Sequence, residues 1–68
     1  MITEIGIVAG EIWHFLDQHG EVTFNTLVKG IDKAPDIVLM SLGWLAREGH
    51  VVVQQAQDTY KIVLRKNA

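Results

Sequence analysis

The sequence predicts an α+β fold in which three helices accompany a small antiparallel β-sheet that ends in a C-terminal β-hairpin. Three observations carry this. Pro35 to Gly49, PDIVLMSLGWLAREG, repeats its apolar side chains with helical period, begins at a proline and stops at a glycine. Thr3 to His19 has the same period and stops at Gly20. Beyond Gly49, the β-branched run Val51-Val52-Val53 and the alternating Tyr60, Ile62 and Leu64 read as two strands of a hairpin.

Each element has its own local signals. In the first helix Thr3 is the expected N-cap, Glu4 is placed to favour the first turn, and Gly20 supplies the stop. Ile5, Val8, Ala9, Ile12 and Leu16 form its core stripe, with Trp13 and Phe15 on the margins. Gly6 and Gly10 lie one turn apart on one side, where missing side chains permit another backbone to approach. Interior glycines cost about 1 kcal/mol each in helix propensity, so a packing reason is expected. Glu21-Val22 can form a short strand, and Thr23 caps a short helix, Phe24 to Lys29, that ends at Gly30. Ile31 to Ala34 is a turn. Pro35 then starts the third helix, where its missing N–H costs nothing. Gln54 to Thr59 connects the two hairpin strands and lacks the Asn-Gly signal of a tight turn. Arg65 to Ala68 reads as a polar tail.

The 68 residues make one domain, 1–68, near the lower limit for folding alone. Hydrophobic residues make up 49%, which marks a globular chain rather than a disordered one. A core this small supplies roughly 3–5 kcal/mol, and chains of this size often add a staple. There are no cysteines, so neither a disulfide nor a thiolate zinc site can serve. Association with another chain is the remaining staple. No apolar run reaches the ~18–20 residues of a membrane span, and Met1-Ile2-Thr3-Glu4 lacks the cationic start of a signal peptide. The expected location is the cytoplasm.

In order, helix, short strand, helix, helix, strand, wing and strand resemble the winged helix-turn-helix. Leu42-x-x-Leu45-Ala46-Arg47-Glu48-Gly49-His50-Val51 is similar to the end of the recognition helix and the first wing strand of many such domains. Ile5-Gly6-x-x-Ala9-Gly10-x-Ile12-Trp13, taken with Gly43-Trp44-Leu45-Ala46-Arg47-Glu48-Gly49, resembles something narrower. That is a small prokaryotic family of stand-alone winged helix-turn-helix domains of uncharacterised function. The resemblance covers nearly the whole chain and implies the fold and a dimer, with no activity attached; fold alone does not give function.

Helix-turn-helix proteins commonly read DNA, and that role makes demands on the third helix. Base edges present hydrogen-bonding groups, so they call for Arg, Lys, Asn, Gln, Ser or Thr. The outward face of Pro35 to Gly49 is expected to carry Asp36, Ile37, Met40, Trp44, Arg47 and Glu48, with Ser41 at its margin. Only Ser41 and Arg47 are suited to bases, and Asp36 would be repelled by phosphate. Net charge is −2, eight acids against six bases, whereas phosphate binding asks for a basic patch. Lys33, Arg47, Lys61, Arg65 and Lys66 are the candidates for a weak, sequence-independent DNA contact.

The same helix is expected to present Val38, Leu39, Leu42, Leu45 and Ala46 inward, leaving Ile37, Met40 and Trp44 as a second apolar face. Such a face needs cover, either from a partner or from the chain's own N-terminus or wing. Tryptophan is enriched at interface hot spots, and a two-fold contact would pair Trp44 or Met40 with its own copy. The expected interface is therefore Ile37, Met40, Ser41 and Trp44, with Gly6, Gly10 and Trp13 as a second surface.

Catalysis has little to build on. His14 and His19 are five residues apart, about 140° around a helix, so they do not converge. No nucleophile elbow, phosphate loop or paired-carboxylate motif is present. No cofactor, metal site or small-molecule substrate is expected. The sequence thus predicts a non-enzymatic module that works through protein contacts, most simply a homodimer in a regulatory system. The alternative is a DNA-binding transcriptional regulator relying on phosphate contacts.

Overall fold

The computed structural model describes residues 1–65. Within them the chain forms α1 (Ile2–His19), β1 (Val22–Thr23), α2 (Phe24–Gly30), α3 (Pro35–Arg47), β2 (Val51–Gln55) and β3 (Tyr60–Leu64). The expected order holds, with some boundaries moved. The tail expected after Arg65 lies outside the described residues.

The cap of helix α1 lies two residues before the expected one. Met1 occupies the cap position and makes no side-chain cap bond; the Ile5 N–H donates to the Met1 carbonyl at 3.0 Å. Thr3 therefore sits within the first turn. Glu4 is there too, where a carboxylate complements the helix dipole, and it lies 4.0 Å from the Met1 ammonium. At the other end Gly20 has φ 74° and donates its N–H to the Leu16 carbonyl at 2.8 Å, as expected of a glycine stop.

Thr23 caps α2 as the sequence indicates: its Oγ1 accepts from the Thr26 N–H at 3.2 Å. Gly30 does not terminate that helix by a left-handed turn. It is the last helical residue, and Ile31 closes the end by donating to the Leu27 carbonyl at 2.9 Å. Positive φ is confined to Gly20 and Gly49 among the described residues.

The strands form one antiparallel sheet in the order β1-β3-β2, with Val22 opposite Ile62 and Val53 opposite Ile62 on the other side. The first wing strand runs longer than expected, and the second matches. Gln54 and Gln55 belong to β2, and the connection shortens to Ala56–Thr59, closed by an Ala56 N–H to Thr59 carbonyl bond of 2.9 Å. Both glutamines are exposed, so their polarity fits a strand that leaves the core.

The core gathers Val8, Ala9, Ile12 and Leu16 of α1 with Leu27, Val38, Leu42, Leu45, Val51 and Ile62. Helix α3 enters it with a different face from the expected one. Ile37 (8% exposed) and Ser41 (0%) are buried, while Leu39 (56%) and Ala46 are exposed. The buried arc is Ile37, Val38, Ser41, Leu42 and Leu45, rotated by roughly 60° from the arc centred on Leu42. Two adjacent apolar faces give the same period, and only packing against the rest of the core chooses between them. Ile37 and Ser41 are therefore corrected from outward contacts to core residues.

Helix α3 ends in a Schellman motif. The His50 N–H donates to the Leu45 carbonyl at 2.9 Å, and that of Gly49 donates to the Ala46 carbonyl at 3.1 Å. Gly49, at φ 80°, makes the reversal that sends the chain into β2.

Candidate functional site

With Ile37 and Ser41 withdrawn into the core, the remaining expected contact residues come together on one flank of the molecule. Met40 and Trp44, one turn apart on α3, are both exposed, Trp44 at 47%. Trp13 on α1 is 43% exposed. A hollow of ≈ 290 Å³ is lined by Gly6, Gly10, Trp13, Trp44 and His50, among others, and a neighbouring one by Ile2, Ile5, Gly6 and Trp44. A Cβ built on Gly6 or Gly10 would meet nothing within 4 Å among the described residues. The glycines that sequence reasoning paired with Trp13 and Trp44 thus form the open floor between them. Ile2 and Met1, strongly exposed, extend the apolar surface along the start of α1. The expected cover by the chain's own N-terminus is partial, since both tryptophans stay about half exposed.

The His50 ring lies 6.5 Å from the Trp44 ring at an interplanar angle of 31°. Because His50 follows the α3 reversal and immediately precedes β2, this contact ties the tryptophan flank to the start of the wing.

A second apolar surface, which sequence reasoning missed, lies on the other side of α3. Leu39, Gly43 and Ala46 line a groove of ≈ 380 Å³ together with Phe24, Val53 and Tyr60. The signal was present in the spacing of Leu39, Gly43 and Ala46 at steps of four and three. It was read as core because Leu39 and Ala46 were assigned to the inner face. The outward side of α3 is accordingly even poorer in base-reading groups than expected. Asp36 and Arg47 are its polar residues at either end, and Gly43 in the middle has no side chain.

The cations do not converge on that side. Lys33 is 3.6 Å from the Glu11 carboxylate. Lys61 and Arg65 alternate with Ile62 and Leu64, which face the core cluster, so they project from the opposite face of the sheet. Arg47 is exposed at the last turn of α3. Lys66 lies outside the described residues.

His19 stacks on Phe15, ring centroids 4.0 Å apart, and its Nδ1 lies 2.9 Å from the Phe15 carbonyl. His14 borders a separate open hollow with Glu11 and Gln18. The three histidines are thus in three different settings. No group of three His, Asp or Glu residues is close enough to hold a metal ion among the described residues, nor is any helix there long and apolar enough to cross a membrane.

Helix, strand, helix, helix and a two-strand wing are the parts of a winged helix-turn-helix, and comparison with known proteins agrees. The family model for the winged helix-turn-helix domain DUF2582 matches residues 1–65. The chain belongs to this family. Uncharacterized protein MJ1608 of Methanocaldococcus jannaschii is 35% identical over 65 residues, 91% of either chain. The solution NMR structure of protein BT2368 from Bacteroides thetaiotaomicron has the same fold, with a TM-score of 0.80 at 26% identity. That match covers 91% of this chain and 76% of the other. For this DUF2582 domain the family gives the architecture, and the surfaces around α3 are where its contacts with other molecules can form.

Proposed function

We propose that this winged helix-turn-helix domain is a non-enzymatic module that acts through protein contacts and homodimerises through the exposed flank of α3, within a regulatory system. The observation that carries the reading is the contiguous apolar surface of Met40, Trp44 and Trp13 over the open floor of Gly6 and Gly10. Tryptophan supplies a large rigid contact area, and close approach over glycine lets two helices pack with little strain. A two-fold contact that covers this flank would bury the same patch on both copies. The shortage of core in a chain of 68 residues gives such burial a stabilising purpose.

Sedimentation velocity at micromolar concentration tests the reading. The expected result is a dimer that Trp44→Glu converts to a monomer with unchanged circular dichroism. A wild-type chain that is strictly monomeric sinks it.

The rival reading, DNA binding through phosphate contacts, is weakened by the apolar outward side of α3, which carries Arg47 as its one cation, and by Lys61 and Arg65 projecting from the far face of the sheet. A gel shift on random duplexes over a salt series separates the two. Tight binding with a steep salt slope, lost on charge reversal of Lys61, Arg65 and Lys66, would favour the rival.

A further inference from the structure

Strand β2 is one of the two outer strands of the sheet, and among the described residues no strand lies beyond it; Val53, Gln54 and Gln55 are exposed there. Which backbone groups lie on that edge follows from the hydrogen bonds at the two ends of the hairpin. The Arg65 N–H donates to the His50 carbonyl at 2.9 Å, and the Ala56 N–H donates to the Thr59 carbonyl at 2.9 Å. Hydrogen-bonded pairs alternate along an antiparallel ladder, and the register between these ends is unbroken. The His50 carbonyl, the N–H and C=O groups of Val52 and Gln54, and the Ala56 N–H therefore turn toward β3. Val51, Val53 and Gln55 turn theirs away. Among the described residues, none of the bonds outside the ladder reaches these three.

Sheet edges of this kind are usually protected by a lysine, a proline, a bulge or an inward charge. Val51-Val52-Val53-Gln54-Gln55 has none of them. Its side chains at 51, 53 and 55 share the face that turns toward α3: Val51 is buried, and Val53 borders the groove of Leu39, Gly43 and Ala46.

We propose that two copies of this chain pair antiparallel along β2 about a two-fold axis, with Val53 opposite Val53 of the second copy. The proposal rests on the homodimer reading above and specifies its geometry. Centred on Val53, the register sets Val51 opposite Gln55 and gives a hydrogen-bonded pair at Val53 itself, about two new bonds; at the flanking pairs the Val51 backbone, in a residue 3% exposed, is covered. The register brings no like charges together, because the strand carries no charge. Residues directly opposite project to the same face, so the second copy's Val53 prolongs the apolar groove instead of crossing it. A standard interface takes roughly 800 Å² from each partner, about a sixth of the 4749 Å² this chain exposes. Five paired residues fall short of that. The groove beside the strand and Trp44, joined to the strand's start by His50, supply the remainder.

The chain lacks cysteine, so a single introduced thiol reads out the register. In a hydrogen-bonded antiparallel pair the facing Cα atoms are about 5.5 Å apart, within reach of a disulfide. Val53→Cys is expected to give a cross-linked dimer on mild oxidation, whereas Gln57→Cys in the wing turn is expected to stay uncross-linked. Val53→Pro removes an N–H that makes no bond within the monomer, so it should fold, yet shift the dimer dissociation constant at least tenfold upward. Should Val53→Pro fail to fold, the two cysteine variants decide alone. A Val53→Cys chain that cross-links no better than Gln57→Cys overturns the edge pairing. If Trp44→Glu is monomeric in that case, the homodimer survives and uses the α3 flank alone. A monomeric wild-type chain overturns both.

Discussion

The ring of Phe15 fills the space in which a side chain on Gly30 would begin. This is how the short second helix is held against the first. The last turn of α2 offers a bare backbone, and an aromatic ring from α1 lies across it. The ring is itself stacked on the His19 imidazole. Gly30 is thus explained by packing and not by a turn.

Gly30→Ala should therefore destabilise the fold. Alanine gains up to about 1 kcal/mol in helix propensity, but its Cβ displaces the Phe15 ring, and overpacking of this kind costs about 1–3 kcal/mol. Urea denaturation is expected to show a lower midpoint with an unchanged slope. An equal or higher midpoint would mean that Phe15 swings aside freely.

Ser41→Ala should do the reverse. Ser41 is fully buried on α3, and among the described residues its Oγ has no hydrogen-bond partner. A buried hydroxyl without a partner carries a desolvation cost of about 1–3 kcal/mol. Removing it is expected to raise the melting temperature by several degrees, since 1 kcal/mol is worth roughly 4–8 °C in a domain this small. A fall in melting temperature would show that the hydroxyl is satisfied in solution.

The open glycines of α1 separate monomer stability from association. A Cβ at Gly6 or Gly10 has room in the monomer, so Gly→Ala at either site should stabilise the isolated fold by about 0.5–1 kcal/mol. The same methyl groups would stand in the contact floor beneath Trp13 and Trp44. Gly6→Ala and Gly10→Ala are expected to be harder to unfold at high dilution and weaker as dimers in sedimentation. Unchanged association would remove the glycine floor from the interface.

Gly49→Ala tests the reversal into the wing. At φ 80° an alanine is strained by about 1–2 kcal/mol. The Schellman bonds through Gly49 and His50 set the start of β2, so the loss should appear as faster amide exchange at both N–H groups. Protection equal to wild type would show that the turn absorbs the methyl group.

The fold was legible in the sequence because its strongest signals were local. Gly20 and Gly49 mark stops, Thr23 and Pro35 mark starts, and the period of Val8, Ile12 and Leu16 marks a buried stripe. The candidate surface was legible only in part. Trp44, Met40, Trp13 and the two glycines were placed correctly on the outside, but α3 has apolar residues on more than one face. Its period could not say that Ile37 and Ser41 turn inward while Leu39 and Ala46 turn out. That choice is made by α1 and the sheet packing on the helix, and it lies outside any window of the sequence. The β2 edge was likewise hidden, since strand order is set by β3 pairing with both neighbours at once.

The chain holds two tryptophans, and both stand on the flank proposed to be covered. No third indole lies in the core to dilute their signal. The molecule therefore carries its own optical reporter: intrinsic emission measures the wetness of this one surface and little else. Serial dilution should move the emission maximum to longer wavelength as copies separate, with the fold intact, and the midpoint of that shift reads the dissociation constant without any label.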